Sequence, residues 1–547
     1  MPASRSETFS TRGTNQLEGE SEMYYRSKAR KVTIGAVLAI ASIGLVSCAT
    51  PGADEPAAPT TLRIGWGSEV LTLDPPNESG ETGIAVLHNV YDTLVGYDFQ
   101  SAELVPSLAE KWDISDDGLV YTFHIDPDAT FATGDPVTAD DVLFSYQRVI
   151  DWPEAVQGGQ IRPALSTATI STIDDSTVEI ALATASASFL PSLAGTAASI
   201  ISEDQVVEAA GDDVEAQRAW LNENTAGSGA YQLGEWLPSS YIQLAANESW
   251  WRGVPTYESV EVQIIEESSQ QAAALQQGDI NVALDLLPQQ VQGFGEGFDI
   301  LSGADLSTYY LAMNLAVAPF DSLEVRQAVK YAIDYDNIIG GLLGGQAERA
   351  GGVIGKGMLG HDPALADRYE YDPERARDLL EKAGYGDGFT FDLYYEANAT
   401  VRGLGIPVST IAEKIQADLA EVGVTLNIVA QDITTLFTAY RAGQVPALMW
   451  YYGSTVPDPD QIVSAHGDWN APAPKRVAFN DQDITASILE ARTMTDEKKR
   501  AEIYIAVGER LSDVGPYAFM FRPIVAVVTT AGLKGFSWTP IWGFNLS

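Results

Sequence analysis

The one cysteine of the chain, Cys48, stands where its thiol is a candidate for chemical modification. A largely apolar, uncharged run over 32–46 and one serine precede it, and four basic residues precede that run. A basic segment, a short apolar segment and a small-residue junction are the three parts of an export signal. The run is shorter than the about 20 apolar residues that a membrane-spanning helix needs. We therefore expect residues 1–47 to be a signal peptide.

The junction Leu45-Val46-Ser47-Cys48 resembles the bacterial lipobox, in which the cysteine is acylated and becomes the first residue of the mature protein. The resemblance implies a lipid anchor on the extracytoplasmic face of the cell membrane, in a periplasm or at the cell surface. Residues 48–60 are rich in Ala, Pro and acidic side chains, so we expect a tether there. Met23 is an alternative start of translation, because residues 1–22 are polar and unlike the beginning of an export signal.

The chain is strongly acidic, with 32 Lys and Arg residues against 75 Asp and Glu residues and a formal net charge of −43. Residues 1–47 contain six basic and four acidic residues, so their removal makes the charge −45. Such a surface repels phosphate backbones and anionic lipids, so we expect no nucleic-acid partner and no unaided adsorption to membranes. A lone cysteine cannot form a disulfide within the chain, so stability must come from packed cores.

Hydrophobic patterning predicts strands mainly in the first half of the chain and capped amphipathic helices in the second half. The strand candidates are 62–66, 119–125, 178–182, 241–245, 260–265 and 424–429. The helix candidates begin after Thr138, Ser322 and Asp372, and a further one carries Ile411, Ile415 and Leu419 before Gly423. Alternation of helices with strands over about 320–515 favours an α/β arrangement in this part of the chain.

Few patterns in the chain are typical of catalysis or metal binding. The four histidines, His88, His124, His361 and His466, are widely separated and lack the spacing of a structural metal site. The chain has no Gly-x-Ser-x-Gly motif, and 350–357 lacks a glycine and the hydroxyl that a phosphate loop requires. Adjacent carboxylates arise by chance among 75 acidic residues. We predict no catalytic residue, no metal and no cofactor.

Two blocks over 109–142 resemble the signature of peptide/nickel-type extracellular solute-binding proteins of ABC importers. The first reads AEKW followed by DDGLVYTF, and the second reads FATGDPVTADDV. The resemblance recurs at 227–231, 247–255, 274–280, 325–329 and 332–334. It therefore covers nearly all of residues 60–547.

This resemblance implies an α/β fold, a two-lobed periplasmic-binding-protein clamp of the large peptide-binding type with an extra subdomain in lobe I. We expect lobe I over 61–308, with the extra subdomain at about 86–225, lobe II over 309–518, and a return to lobe I over 519–547. The implied function is capture of an oligopeptide or dipeptide between the lobes and delivery to the transmembrane subunits of an ABC permease. We expect a monomer that makes and breaks no bonds.

Alternative functions follow from the same scaffold. The ligand of an importer receptor can be a non-peptide solute, such as an oligosaccharide, an opine or a nickel complex. A secreted lipoprotein hydrolase would need two carboxyl groups roughly 5 to 9.5 Å apart in one pocket. An envelope scaffold or chaperone would show no stabilisation by a small molecule, since binding to the native state must raise the melting temperature.

The segment 450–460 is the strongest candidate ligand site, because aromatic rings beside a Gly- and Pro-rich loop suit a cleft wall. Its candidate residues are Trp450, Tyr451, Tyr452, Gly453, Ser454 and Thr455. The resemblance implies that peptide-binding relatives usually place an aspartate at the position of Thr455 to pair with the peptide ammonium. A hydroxyl lacks the charge for that role, so another acid substitutes for it or the ligand is not a simple peptide.

The resemblance adds further candidates outside this segment. Glu69, Val70 and Leu71 occupy the stretch that faces the ligand from lobe I in this family. Arg402 lies where some relatives place an arginine that binds an anion, although a surface salt bridge is an equal alternative. Trp542 is a cleft candidate near the C-terminus.

Overall fold

The computed structural model describes residues 60–99, 103–453 and 458–546. The expected signal peptide, Cys48, the tether up to residue 59, Ser454 and Thr455 therefore lie outside the described residues. The strands are β1 (Thr61–Trp66), β2 (Val95–Tyr97), β3 (Leu104–Pro106), β4 (Ala109–Ile114), β5 (Val120–Ile125), β6 (Thr169–Asp174), β7 (Thr177–Ala181), β8 (Tyr231–Leu237), β9 (Tyr241–Ala246), β10 (Ser259–Ile264), β11 (Val282–Ala283), β12 (Phe298–Ala304), β13 (Thr308–Met313), β14 (Ala347–Arg349), β15 (Thr390–Glu396), β16 (Thr425–Gln431), β17 (Ala447–Tyr452), β18 (Tyr517–Thr530), β19 (Ser537–Thr539) and β20 (Gly543–Asn545).

Helices occur in both halves of the chain. They are α1 (Glu81–Val90), α2 (Ala139–Ile150), α3 (Arg162–Leu165), α4 (Phe189–Ser192), α5 (Glu203–Ala210), α6 (Val214–Leu221), α7 (Ser268–Gln277), α8 (Pro288–Val291), α9 (Leu323–Ala332), α10 (Pro373–Lys382), α11 (Val408–Glu421), α12 (Ile433–Arg441), α13 (Pro459–Gly467), α14 (Pro472–Arg476), α15 (Gln482–Arg492) and α16 (Glu497–Val514). Short 3₁₀ turns lie at Gln157–Gln160, Thr196–Ala198 and Pro363–Asp367, and a π-helical turn lies at Asn337–Leu342.

The residues predicted to begin and end helices have those roles in the structure. Thr138 and Asp141 form a capping box that opens α2, with the Thr138 backbone N–H donating to the Asp141 carboxylate at 2.9 Å. The Asp372 side chain accepts from the Arg375 N–H at 2.9 Å and begins α10. Gly423 has φ of +84°, which glycine adopts easily, and it ends the turn after α11. The predicted strands and these helices are confirmed to within a few residues.

One strand, β18, connects the two halves of the main sheet. In the described residues the strand order is β16-β15-β17-β13-β18-β11-β1-β10-β9-β8, with β12 and β14 also paired to β18. The first part of β18 pairs with β13, and its second part pairs antiparallel with β12 from Ile524 to Thr530. Two adjacent, hydrogen-bonded segments, about 304–308 and 521–524, therefore carry the chain between the two halves.

The hydrophobic cores follow the same division. One pair of clusters is built from residues between 306 and 521 and packs around β13, β15 and β17. Another cluster joins residues of 62–284 to residues of 527–546, and a separate cluster fills the sheet β4-β5-β7-β6 with α2. The fold is therefore a two-lobed α/β clamp in which an extra subdomain accompanies lobe I. The lobe limits given above stay a prediction.

Candidate ligand-binding cavity between the lobes

A cavity of about 350 Å³ lies where the two halves of the molecule meet. The N-terminal half contributes α1 and the segments that follow β1 and β11, while the β19–β20 turn supplies part of the wall near the C-terminus. The other half contributes a loop after β15 and the end of β17. Convergence of both lobes on one cavity of this size is typical of small-ligand sites, which measure about 300–1,000 Å³.

Strand alternation decides which aromatic ring of β17 faces the cavity. Tyr451 lines the cavity and pairs in register with Tyr309, and the two rings stack with centroids 5.1 Å apart. Trp450 and Tyr452, on either side, pack against the lobe core instead, because successive side chains of a strand point to opposite faces. The Trp450 ring meets Phe437 at 4.8 Å.

Arg402 reaches across the cavity to both lobes. Its guanidinium forms an ion pair with Glu81 at the first turn of α1 and another with Asp305 at 3.4 Å. The Arg402 backbone N–H donates to the Tyr309 hydroxyl at 3.0 Å. Although burial lowers it, the carboxylates of Asp305 and Glu81 hold the pKa of Arg402 above its ordinary value. Arg402 is therefore a fixed cation with two partners.

The loop that carries Arg402 depends on Gly403. This residue has φ of +67°, and a Cβ there would stand 2.3 Å from a Val525 side-chain carbon of β18. Any other residue would be strained and would push the loop away from β18. Gly403 thus allows the close approach that places the guanidinium in the cavity.

Asp285 follows β11 and also lines the cavity. Its Oδ2 accepts from the backbone N–H of Gly67 at 2.7 Å, which fixes the carboxylate at the end of β1. Burial raises the pKa of Asp285, and the hydrogen bonds from Gly67 and Gln271 offset part of that effect. Burial also raises the pKa of Glu81, although its side chain keeps 55% of its accessible surface. A raised pKa together with an accessible side chain is expected for a carboxylate that is surrounded by protein and faces the cavity.

Aromatic residues near the C-terminus and a histidine of α1 form another part of the cavity wall. Trp542 is buried, and its ring stacks on Tyr97 with centroids 4.8 Å apart. His88 of α1 lines the same cavity, and its Nε2 atom is buried without a hydrogen-bond partner among the described residues. Burial lowers the pKa of His88 to about 4, so its imidazole is neutral at neutral pH.

The structure separates the predicted site residues into two groups. Those that line the cavity are Arg402, Tyr451, Gly453 and Trp542. Those that do not line it are Glu69, Val70, Leu71, Trp450 and Tyr452. Val70 packs in the core of lobe I and Leu71 is 63% exposed, while Ser454, Thr455 and Cys48 lie outside the described residues.

Sequence reasoning missed the three carboxylates of the cavity, Glu81, Asp285 and Asp305. Nothing in their local sequence distinguishes them among 75 acidic residues. Within the described residues, no cluster of His, Cys, Asp and Glu has the arrangement of a metal site. In the same part of the chain, no helix combines the length and apolar character needed to cross a bilayer.

Comparison with known proteins identifies the family of this chain. Residues 103–471 match the family described as bacterial extracellular solute-binding proteins, family 5, middle. The chain belongs to this family. The family-5 solute-binding protein described here is 27% identical to Di/tripeptide-binding protein 2 of Pseudomonas aeruginosa, over 89% of this chain and 94% of that relative.

Two further comparisons connect this family-5 protein with Haemophilus proteins. It is 28% identical to Heme-binding protein A of Haemophilus influenzae, over 82% of this chain and 85% of that relative. The solved structure of HbpA2 from Haemophilus parasuis matches it with a TM-score of 0.80 and 24% identity, over 89% of this chain and all of that one. These matches confirm the two-lobed solute-binding fold and the peptide/nickel-type family inferred from the sequence.

Proposed function

We propose that this family-5 protein is a lipid-anchored receptor that captures short peptides between its lobes and delivers them to the transmembrane subunits of an ABC permease. The observation that carries the proposal is the cavity of about 350 Å³ in which Arg402, Glu81 and Tyr451 converge from both lobes. Its volume is at the lower end of the range for small-ligand sites, which favours a dipeptide or tripeptide over a longer chain. A relative named for di- and tripeptide binding supports the same choice.

Closure of the lobes is the proposed mechanism of capture. In the present conformation Glu81 and Arg402 already connect the lobes, and Tyr451 faces Trp542 and the other lobe I residues of the cavity lining. A ligand shifts the population toward this state only if it binds the closed form better than the open one. A peptide that contacts both walls has that preference, and no covalent step is required.

Binding of di-, tri- and tetrapeptides to the purified protein tests this function. We expect dipeptides or tripeptides to raise the melting temperature, because a ligand at 100 times its Kd adds about 2.7 kcal/mol of stability. The peptides should be recovered intact after long incubation. If no peptide shifts the melting temperature, the peptide assignment is wrong. Recovered hydrolysis products would favour the hydrolase instead.

A non-peptide solute is the second candidate. The sequence of residues 454–457, Ser-Thr-Val-Pro, contains no carboxylate for a peptide ammonium. A relative at 28% identity is named for heme, which is not a peptide. Screening of oligosaccharides, opines and nickel chelates beside the peptides separates the two candidates by the class that stabilises the protein.

The anchor and the oligomeric state need their own measurements. We propose acylation of Cys48, a tether over 48–60, a monomeric receptor and the lobe limits given above. Cys48→Ser should release the receptor from the membrane fraction into the soluble fraction. Cys48→Ser protein that stays in the membrane fraction would exclude the lipid anchor. Light scattering during size-exclusion chromatography would detect any stable dimer.

A further inference from the structure

The described lining of the interlobe cavity has an excess of negative charge. Three carboxylates, Glu81, Asp285 and Asp305, face one guanidinium, that of Arg402, which leaves a formal excess of two negative charges. His88 is neutral and the other described lining residues carry no charge. The segment 454–457 contains no ionisable side chain, so it cannot offset the excess.

Arg402, the one cation among the described lining residues, already has carboxylate partners. Arg402 pairs with Glu81 and also with Asp305. Asp285 accepts a hydrogen bond from the Gly67 backbone N–H, and Arg402 attracts it only from beyond ion-pair distance, so Asp285 has no ion pair among the described residues. The carboxylate of Asp285 is therefore the charged group of the cavity that a ligand cation can still pair with.

Desolvation makes this imbalance significant. Transfer of an unpaired carboxylate from water into protein is unfavourable unless a cation or several hydrogen bonds accompany it. An anionic ligand would increase the free-energy cost of desolvating the carboxylates when the lobes close. A cationic ligand would offset that cost.

We propose that the cavity selects solutes with a net positive charge and that Asp285 is the carboxylate that pairs with the ligand cation. This inference rests on the proposed function and narrows it to cationic short peptides, such as those with a lysine side chain. Arg402 then acts as a positioning residue that holds Glu81 and Asp305 and is not free for an anionic group of the ligand. The four aromatic rings that line the cavity, Trp66, Tyr451, Trp538 and Trp542, are suited to an organic cation, because ring faces attract positive charge.

A charge series of dipeptides tests the inference on the purified full chain. The probes are Lys-Ala, Gln-Ala and Glu-Ala, with putrescine as a cation that is not a peptide, and calorimetry gives the Kd of each. We expect Lys-Ala to bind at least tenfold more tightly than Gln-Ala, and Glu-Ala to bind most weakly. This series requires no variant, so it decides the charge preference even if a substitution prevents folding.

Asp285→Asn tests the residue. It should reduce the ratio of Lys-Ala to Gln-Ala affinity at least fivefold while raising the melting temperature of the ligand-free protein, because a neutral amide replaces a carboxylate that has no ion pair and whose pKa burial raises. If Asp285 had only a structural role, the substitution would lower the melting temperature and leave the ratio of the two affinities unchanged. Asp279→Asn is the matched control, since Asp279 is exposed on the same lobe, does not line the cavity and carries the same charge.

The outcomes separate this inference from the proposed function. Equal affinities for the three dipeptides would overturn the charge preference and leave peptide capture standing. A uniform loss for all dipeptides in Asp285→Asn would overturn the role of Asp285. Binding of putrescine without any dipeptide would support the charge preference and overturn the peptide assignment, and binding of none of the four probes would overturn both.

Discussion

Two clusters of charged side chains in this protein differ in how completely their charges are paired. In the cavity, Glu81 and Asp305 share Arg402, and Asp285 has no ion pair among the described residues. In lobe II, Asp458 and Arg500 form a two-pronged ion pair with both N–O distances at 2.7 Å. There Arg492 also bridges Asp460 at 3.2 Å and Asp468 at 3.3 Å.

This difference distinguishes a fully paired cluster from the cluster that we propose to bind the ligand. The side chains of Asp458 and Arg500 are each only 6% exposed, so their mutual attraction offsets the cost of leaving water. Glu81 and Asp285 keep accessible surface and have carboxyl pKa values that burial raises. Charges that are paired within the fold support the fold, and charges left without a pair in a cavity are available to a ligand.

The largest expected effect comes from breaking the lobe II pair. Asp458→Asn leaves the Arg500 guanidinium buried without its carboxylate, and removal of one partner from a buried pair costs about 3–5 kcal/mol. Urea denaturation should show this loss in the free energy of unfolding. Asp483→Asn is the control, because Asp483 pairs with Arg510 at 3.4 Å while 85% exposed and should cost under about 1 kcal/mol. Equal losses would contradict the comparison.

The second prediction concerns the two faces of β17. Tyr451→Ala removes a ring from the cavity and should weaken ligand binding roughly 10- to 100-fold, in line with about 1.5–3 kcal/mol for a large buried side chain. Tyr452→Ala removes a ring that contacts His466 in the lobe core, at 5.7 Å between centroids. It should lower stability more than affinity. A larger affinity loss in Tyr452→Ala would place the ligand on the other face of the strand.

A smaller effect is expected on changing pH. Burial raises the pKa of Asp285 and of Glu81, so both carboxyl groups take up protons at a higher pH than the ordinary value of about 4. Affinity for Lys-Ala should therefore fall as pH is lowered through that raised range. In the ligand-free protein the sign is opposite, because native carboxyl groups that hold protons more tightly than unfolded ones make stability fall as pH rises.

Calorimetry of the Lys-Ala complex between pH 4 and pH 8 measures the first trend, and urea denaturation of the empty protein measures the second. Asp285→Asn should flatten both curves. His88 does not interfere above its pKa of about 4, and Arg402 stays charged throughout. Affinity that stays constant across this range would argue against a carboxylate as the ligand's partner.

The smallest effect is expected for Glu81→Gln. Glu81 is 55% exposed and pairs with an arginine that has a second partner, so its loss should change ligand affinity less than tenfold. The variant frees one side of Arg402, so Glu-Ala should gain affinity relative to Lys-Ala. Calorimetry with both dipeptides gives that ratio, and no change in it would show that Glu81 does not limit access to Arg402.

Much of the fold could be predicted from the sequence because local patterns determine it. The Thr138–Asp141 capping box, the Asp372 cap and the alternating strands depend on neighbours within a few residues. The two-lobed fold was predicted because the motif blocks over 109–142 resemble the signature of a known family. Composition and spacing alone could not have joined residues near 62 to residues near 544 in one core, since such contacts have no local signal.

The cavity was only partly predictable. Arg402, Tyr451, Gly453 and Trp542 were identified from the sequence and line the cavity. The choice between Tyr451 and its neighbours depends on the register of β17, which aromatic composition does not reveal. The role proposed for Asp285 depends on its position beside Gly67, and that proximity arises across a separation of 218 residues.

The two segments that carry the chain between the halves of the molecule, about 304–308 and 521–524, have a consequence for how the lobes of the ligand-free protein would separate. Asp305 lies within one crossing, and its backbone N–H donates to the Pro523 carbonyl of the other at 2.9 Å. A residue on a pivot is displaced little when the bodies on either side rotate apart. Arg402 should therefore keep its contact with Asp305 throughout the rotation and exchange only Glu81 for water. The guanidinium would then keep one carboxylate partner at every stage, and each closure of the lobes would begin from a half-assembled electrostatic contact.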